Sequence, residues 1–175
     1  MAKKVPIVYN RAPEVEEMGR DLVDLYHPHL EGVPIRYLFK NQASKRGNWM
    51  VQGTCQLVQG AMAFLSTPEE EVRSMRMVQG DEAMPWYFLI VIAEDLWEEM
   101  SPAEKRALVD HELCHAAIHS ETGLPMMREH DLEEFSEIVE RHGGWKPNLV
   151  HFAGAVLARA KTKPASLQGV LSMGE

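Results

Sequence analysis

The chain has 175 residues, 45% of them hydrophobic and 25% charged, enough to bury a core as one domain without disulfide staples. A net charge of −8 argues against strong nucleic-acid binding, which rests on clustered Lys and Arg. No apolar run approaches the ~20 residues of a membrane span, and no signal core follows Lys3 and Lys4, so no membrane association and a cytoplasmic location are expected.

Residues 1 to 11 read as extended or loosely ordered. From Pro13 to about Tyr26 an amphipathic helix is predicted: Val15, Met18, Leu22 and Leu25 recur at helical spacing, and Glu14, Glu16 and Glu17 suit its positive end. His27-Pro28-His29 ends it, because Pro28 disfavours helical geometry in the residue before it. Both histidines are read as exposed loop residues. Ile35, Tyr37 and Phe39 alternate with Arg36, Leu38 and Lys40, the pattern of a half-buried strand. A polar turn from Asn41 to Asn48 leads to a second strand, about Trp49 to Val58. Arg36, Lys40, Lys45 and Arg46 stand in an acid-free stretch, and a solvated hairpin loop is the preferred reading. Thr67-Pro68-Glu69-Glu70 caps a short helix or opens a flexible insertion. Trp86 to Ile92 is continuously apolar, aromatic and β-branched, which places it in the sheet interior.

Ser101-Pro102-Ala103-Glu104 reads as a capping box, so a helix begins there and runs through His111-Glu112-Leu113-Cys114-His115. Gly123-Leu124-Pro125 is expected to end it. Residues four apart on a helix differ by about 40° around the axis, so His111 and His115 project side by side and can share one Zn²⁺ ion. Glu112, roughly 100° away, suits a general base that acts on a metal-activated water without being a ligand. Leu108, Val109, Leu113, Cys114, Ala116, Ala117 and Ile118 surround most of the axis and predict a largely buried helix. Cys114 is read as a buried small hydrophobe rather than a thiolate ligand. Cys55, the other cysteine, shares no CxxC with it, which excludes a zinc ribbon.

Zinc needs a third protein ligand, and His130, Glu133 and Glu134 are the candidates downstream. The apolar stripe Leu132, Phe135, Ile138 and Val139 marks a second helix. An N-cap at Asp131, with Glu134 as reciprocal cap, leaves His130 ahead of the first turn and free to point at the metal. That favours His130. Glu133, Glu134 and Asp110 stay as alternative ligands or as hydrogen-bond partners that orient a ligand imidazole. Gly143-Gly144 ends this helix, and Trp145-Lys146-Pro147 opens a third that reaches about Ala160. The expected organisation is a single α+β domain over residues 1–160 and a flexible tail over 161–175. A sheet of three strands, or slightly more, packs on the N-terminal helix and the motif helix.

Three stretches, Leu108-Val109-Asp110-His111-Glu112-Leu113-Cys114-His115, His130-Asp131-Leu132-Glu133-Glu134-Phe135 and Arg141-His142-Gly143-Gly144-Trp145, resemble the putative phage metallopeptidase family. That family is itself similar to the SprT-like zincins. The resemblance spans about residues 10 to 155 and is strongest from Trp97 to Trp145. It implies a zincin-like minimal metalloprotease domain, zinc on His111, His115 and His130, and Glu112 as catalytic base. SprT-like proteins place a phenylalanine four residues after the third histidine, whereas Phe135 follows His130 by five. The expected activity is that of a zinc metalloendopeptidase on a peptide or protein substrate. Glu112 would take a proton from water and deliver it to the leaving amine. His119, Tyr87 or His142 would stabilise the oxyanion. A zinc-stabilised, non-catalytic binding module of phage origin and a non-peptide amide hydrolase are the rival readings. A phage-encoded chain would act in the host cytoplasm.

Overall fold

The computed structural model describes residues 5–79, 83–133 and 135–162. They fall into two compact units, residues 1–128 and 129–175. The first is a mixed α+β unit. Its four-stranded sheet runs in the order β1 (Tyr9–Arg11), β2 (Ile35–Lys40), β6 (Trp86–Ala93), β5 (Gly53–Gln59). β2 and β6 are parallel, while β1 and β5 are antiparallel to their neighbours. β6 therefore has a partner on each side, which is why its sequence is apolar without alternation.

Two helices cover one face of this sheet. α1 (Pro13–Tyr26) starts and stops at the expected residues, and it buries Val15 and Leu22 completely. α5 (Pro102–Cys114) buries Val109 and Leu113 completely. Between them lie Phe88, Ile90 and Ile92, the alternate residues of β6 that face this side. Burying each such side chain stabilises the fold by about 1.5–3 kcal/mol, so this layer fixes where α5 sits against the sheet. Trp97, at the end of α4 (Glu94–Trp97), closes the layer and donates its indole N–H to Glu14 Oε1 at 2.9 Å.

Several expectations need correction. Residues 9–11, read as loosely ordered, form a strand on β2. The predicted 49–58 strand breaks at Gln52: β4 (Trp49–Val51) pairs with β3 (Ser44–Arg46) in an exposed hairpin, and β5 alone enters the sheet. The segment before β6 holds two helices, α2 (Gly60–Ser66) and α3 (Glu69–Gln79), rather than one short one. His27 is not an exposed loop residue; it is 6% exposed, and its Nε2 lies 2.7 Å from Asp110 Oδ1. A proline-flanked histidine looks solvated in sequence, but this one closes α1 and turns inward to a helix far along the chain.

The motif helix is also shorter than expected. It ends at Cys114, and β7 (Ala116–Ile118) pairs antiparallel with β8 (Pro125–Met127). The Gly123 turn, at φ +67°, closes a hairpin instead of capping a helix. Ala116, Ala117 and Ile118 fit either periodicity over so short a run, and pairing with β8 decides between them.

The second unit contains α6 (Ser136–His142) and α7 (Pro147–Thr162), the latter close to the expected third helix. α6 begins at Ser136, not after an Asp131 cap. Asp131, Leu132, Glu133 and Phe135 are outside the helix, and Asn148 Nδ2–H donates to the Asp131 carbonyl at 3.1 Å. Glu134 and the expected tail beyond Thr162 lie outside the described residues. Among the described residues no helix is long and apolar enough to cross a membrane.

Candidate active site

The capping box forms as expected: Glu104 N–H donates to Ser101 Oγ at 3.4 Å, and Ser101 N–H to Glu104 Oε2 at 2.8 Å. α5 does not bury its whole circumference, however. Val109, Glu112 and Leu113 are buried, while His111 and Cys114 are exposed and His115 is half-buried. The apolar residues counted around the axis beyond Cys114 belong to β7, so α5 has one inner face and one open face. Cys114 is accordingly not the buried hydrophobe expected of it.

The histidine pair lies on the open side. The rings of His111 and His115 have centroids 5.1 Å apart at 87°, and one ring nitrogen of each lies within 4.8 Å of the other. The hairpin then fixes the second ring. Arg128 N–H donates to the His115 carbonyl at 2.8 Å, and His115 Nδ1 lies 2.8 Å from the Arg128 carbonyl. A carbonyl only accepts, so Nδ1 donates this hydrogen bond. A backbone carbonyl orients this ring, and no residue type announces it in sequence.

Glu112 points the other way, into the protein. It is 4% exposed and reaches the edge strand β5, where the Cys55 N–H donates to its carboxylate. Burial pushes its carboxyl up to about 7, against the opposing pull of His115 and the Cys55 N–H. A carboxyl poised near neutrality is well suited to taking and returning a proton. Gly53 makes the approach possible: a Cβ there would stand 2.6 Å from Glu112 Oε1. The Cys55 thiol beside it is pushed up to about 12, by burial first and then by Glu112. A cavity of about 480 Å³ opens here, lined by Met50, Gln52, Gly53, Met100, His111 and Glu112 among others.

Sequence reasoning did not find Gly53, Cys55 or the Arg128 carbonyl. Only the run Gln52-Gly53-Thr54 at a strand start carried any trace, as a position where another group comes close. Asp110 turns to His27, and with Cys114 these residues bring one donor atom each to within 4.8 Å of one another. His119 stands on the β7–β8 turn, exposed, accepting the Glu121 N–H at Nδ1 over 3.3 Å. Tyr87 is buried on the sheet face opposite Phe88 and Ile90, with its hydroxyl 2.9 Å from Ser66 Oγ and the Arg36 guanidinium 3.8 Å above its ring. That face is turned away from α5. His130 and Glu133 are exposed residues of the second unit, and His142 ends α6 there.

A mixed α+β fold, a histidine pair close enough to share a metal and a buried carboxyl of raised pKa suit a protein of metallopeptidase type. The chain belongs to the putative phage metallopeptidase family, whose model matches residues 7–156. No curated protein and no solved structure matches it.

Proposed function

We propose that this protein is a zinc-dependent metallopeptidase of the zincin kind, related to the SprT-like enzymes, with His111, His115 and His130 as ligands and Glu112 as general base. The observation that carries this reading is Glu112 itself: a carboxyl buried to 4% exposure, raised to about 7 and set three residues from His115, an imidazole whose Nδ1 proton is already committed. Burying a carboxyl is unfavourable, and a module that only binds has no use for one. The donor set fits zinc, because two neutral imidazoles are common zinc ligands and one of them already presents Nε2. The third donor is assigned to His130, two positions along the chain from the Arg128 carbonyl that orients His115.

When bound, the ion supplies Lewis acidity to a water and to the scissile carbonyl. The residues supply the rest. Ionised Glu112 accepts a proton from the attacking water, is held in place by the Cys55 N–H, and returns that proton to the leaving amine. The cavity beside His111 and Glu112 receives part of the peptide or protein substrate. His119, exposed on the hairpin turn, and His142 are the candidate oxyanion donors, while Tyr87 faces away from α5.

Metal analysis and peptide hydrolysis on the same preparations test the reading. His115→Ala and His130→Ala should each lose an ion and all hydrolysis. Glu112→Gln should keep the metal and lose hydrolysis. A Glu112→Gln protein with full metal and undiminished hydrolysis would exclude Glu112 as the base.

A further inference from the structure

Helix α5 and the residue that follows it carry two donor pairs at a spacing of four, not one. His111 and His115 form the first. Asp110 and Cys114 form the second, about 100° around the axis, and they meet His27 at the end of α1. We propose that His27, Asp110 and Cys114 form a second cation site, for zinc or an ion of its class, which ties α1 to α5 independently of the catalytic pair.

Three observations point there. The first is convergence: His27 lies 83 positions from Asp110, yet its Nε2 is 2.7 Å from the Asp110 carboxylate, and the three donor atoms are mutually within 4.8 Å. Zinc bonds of 2.0–2.3 Å place tetrahedral donors about 3.3–3.8 Å apart. The His27–Asp110 edge is shorter than that and opens by about half an ångström on binding, while any longer edge to the thiol closes by rotation of the exposed Cys114 side chain. The second is chemistry. Nitrogen, carboxylate oxygen and thiolate sulfur together suit zinc, whereas Mg²⁺ and Ca²⁺ select oxygen alone. One carboxylate and one thiolate also cancel the two charges of the ion, so the loaded site is neutral, which suits a ring as buried as His27. The third is access. His27 is buried, Asp110 half-buried and Cys114 exposed, so the ion enters from the Cys114 side and keeps a water as its fourth ligand.

Cobalt(II) reads this site separately from the catalytic one, because His111, His115 and His130 offer no sulfur. Full-length protein loaded with Co²⁺ should show a thiolate-to-cobalt charge-transfer band in the near ultraviolet. The band should survive in His115→Ala and in Cys55→Ser, and it should vanish in Cys114→Ser and His27→Gln. Zinc content should fall by one ion per chain in Cys114→Ser, a change at an exposed side chain that leaves the core intact. No such band in the wild-type protein, or a band that persists in Cys114→Ser, overturns the proposal. Loss of hydrolysis in His115→Ala with the band intact would bear on the catalytic site alone.

Discussion

Two glutamates on α5, Glu104 and Glu112, share a helix and a residue type yet titrate in opposite directions. Glu104 is fully exposed, and the Ser101 hydroxyl, then the Ser101 N–H, hold its carboxyl below the ordinary range. Glu112 is buried, and loss of water pushes its carboxyl up to about 7 although the Cys55 N–H and His115 pull the other way. The first is a local device for starting a helix. The second is made by tertiary structure, since β5, Gly53 and the core layer remove its solvent. Hydrogen bonding wins at the open end of the helix and desolvation wins at the closed end.

Removing the base tests the closed end most severely. Glu112→Gln should lower kcat by on the order of 10³-fold, within the range of a lost general base, with KM and metal content kept. Steady-state kinetics beside metal analysis read both. The same substitution has a stability signature in chelator-treated protein. Unfolded Glu112 ionises near pH 4.3 and folded Glu112 near 7, so between these values the native state binds more protons and stability falls as pH rises. The burden reaches about 4 kcal/mol above pH 7. Urea titrations of metal-free protein from pH 4.5 to 8 should show that fall in the wild type and a flatter profile in Glu112→Gln. Parallel profiles would mean that Glu112 is ionised throughout.

The contrast also explains what was legible in the sequence. The capping box and α1 were readable because their causes are local: Ser101, Pro102 and Glu104 at fixed spacing, and Val15, Met18 and Leu22 on one stripe. β6 was readable because eight consecutive residues without a charged side chain, rich in aromatic and β-branched types, suit a sheet interior. His111, Glu112 and His115 were legible as a spacing, and the rings of His111 and His115 stand 5.1 Å apart although the helix ends at Cys114. The end of α5 was not, because Ala116-Ala117-Ile118 becomes a strand only when Pro125-Met126-Met127 returns beside it. The inward turn of His27 and the proximity of Gly53 to Glu112 were hidden for the same reason, each depending on a partner more than fifty positions away.

Gly53→Ala probes the closed end more gently. The added methyl would stand 2.6 Å from Glu112 Oε1, and the carboxyl end of that side chain has to yield. A base displaced by about an ångström costs on the order of 10²-fold in rate. The metal should stay, because the three atoms nearest the added methyl all belong to Glu112. A Gly53→Ala enzyme with unchanged kcat would show that Glu112 keeps its aim without the space glycine leaves.

Ser101→Ala probes the open end, where the smallest effect is expected. It removes the hydroxyl that caps the helix and holds Glu104 ionised, so about 1 kcal/mol of stability should go, with kcat and metal content unchanged. The pH dependence runs opposite to that of Glu112. Glu104 has a lowered pKa in the folded state, so its contribution is present above the ordinary carboxylate range and is lost as pH falls through it. Thermal melts of Ser101→Ala and wild type should therefore converge in acid and separate toward neutrality. A Ser101→Ala protein that lost activity at full stability would tie the start of α5 to the chemistry at its end, and the division between a folding end and a reacting end would fail.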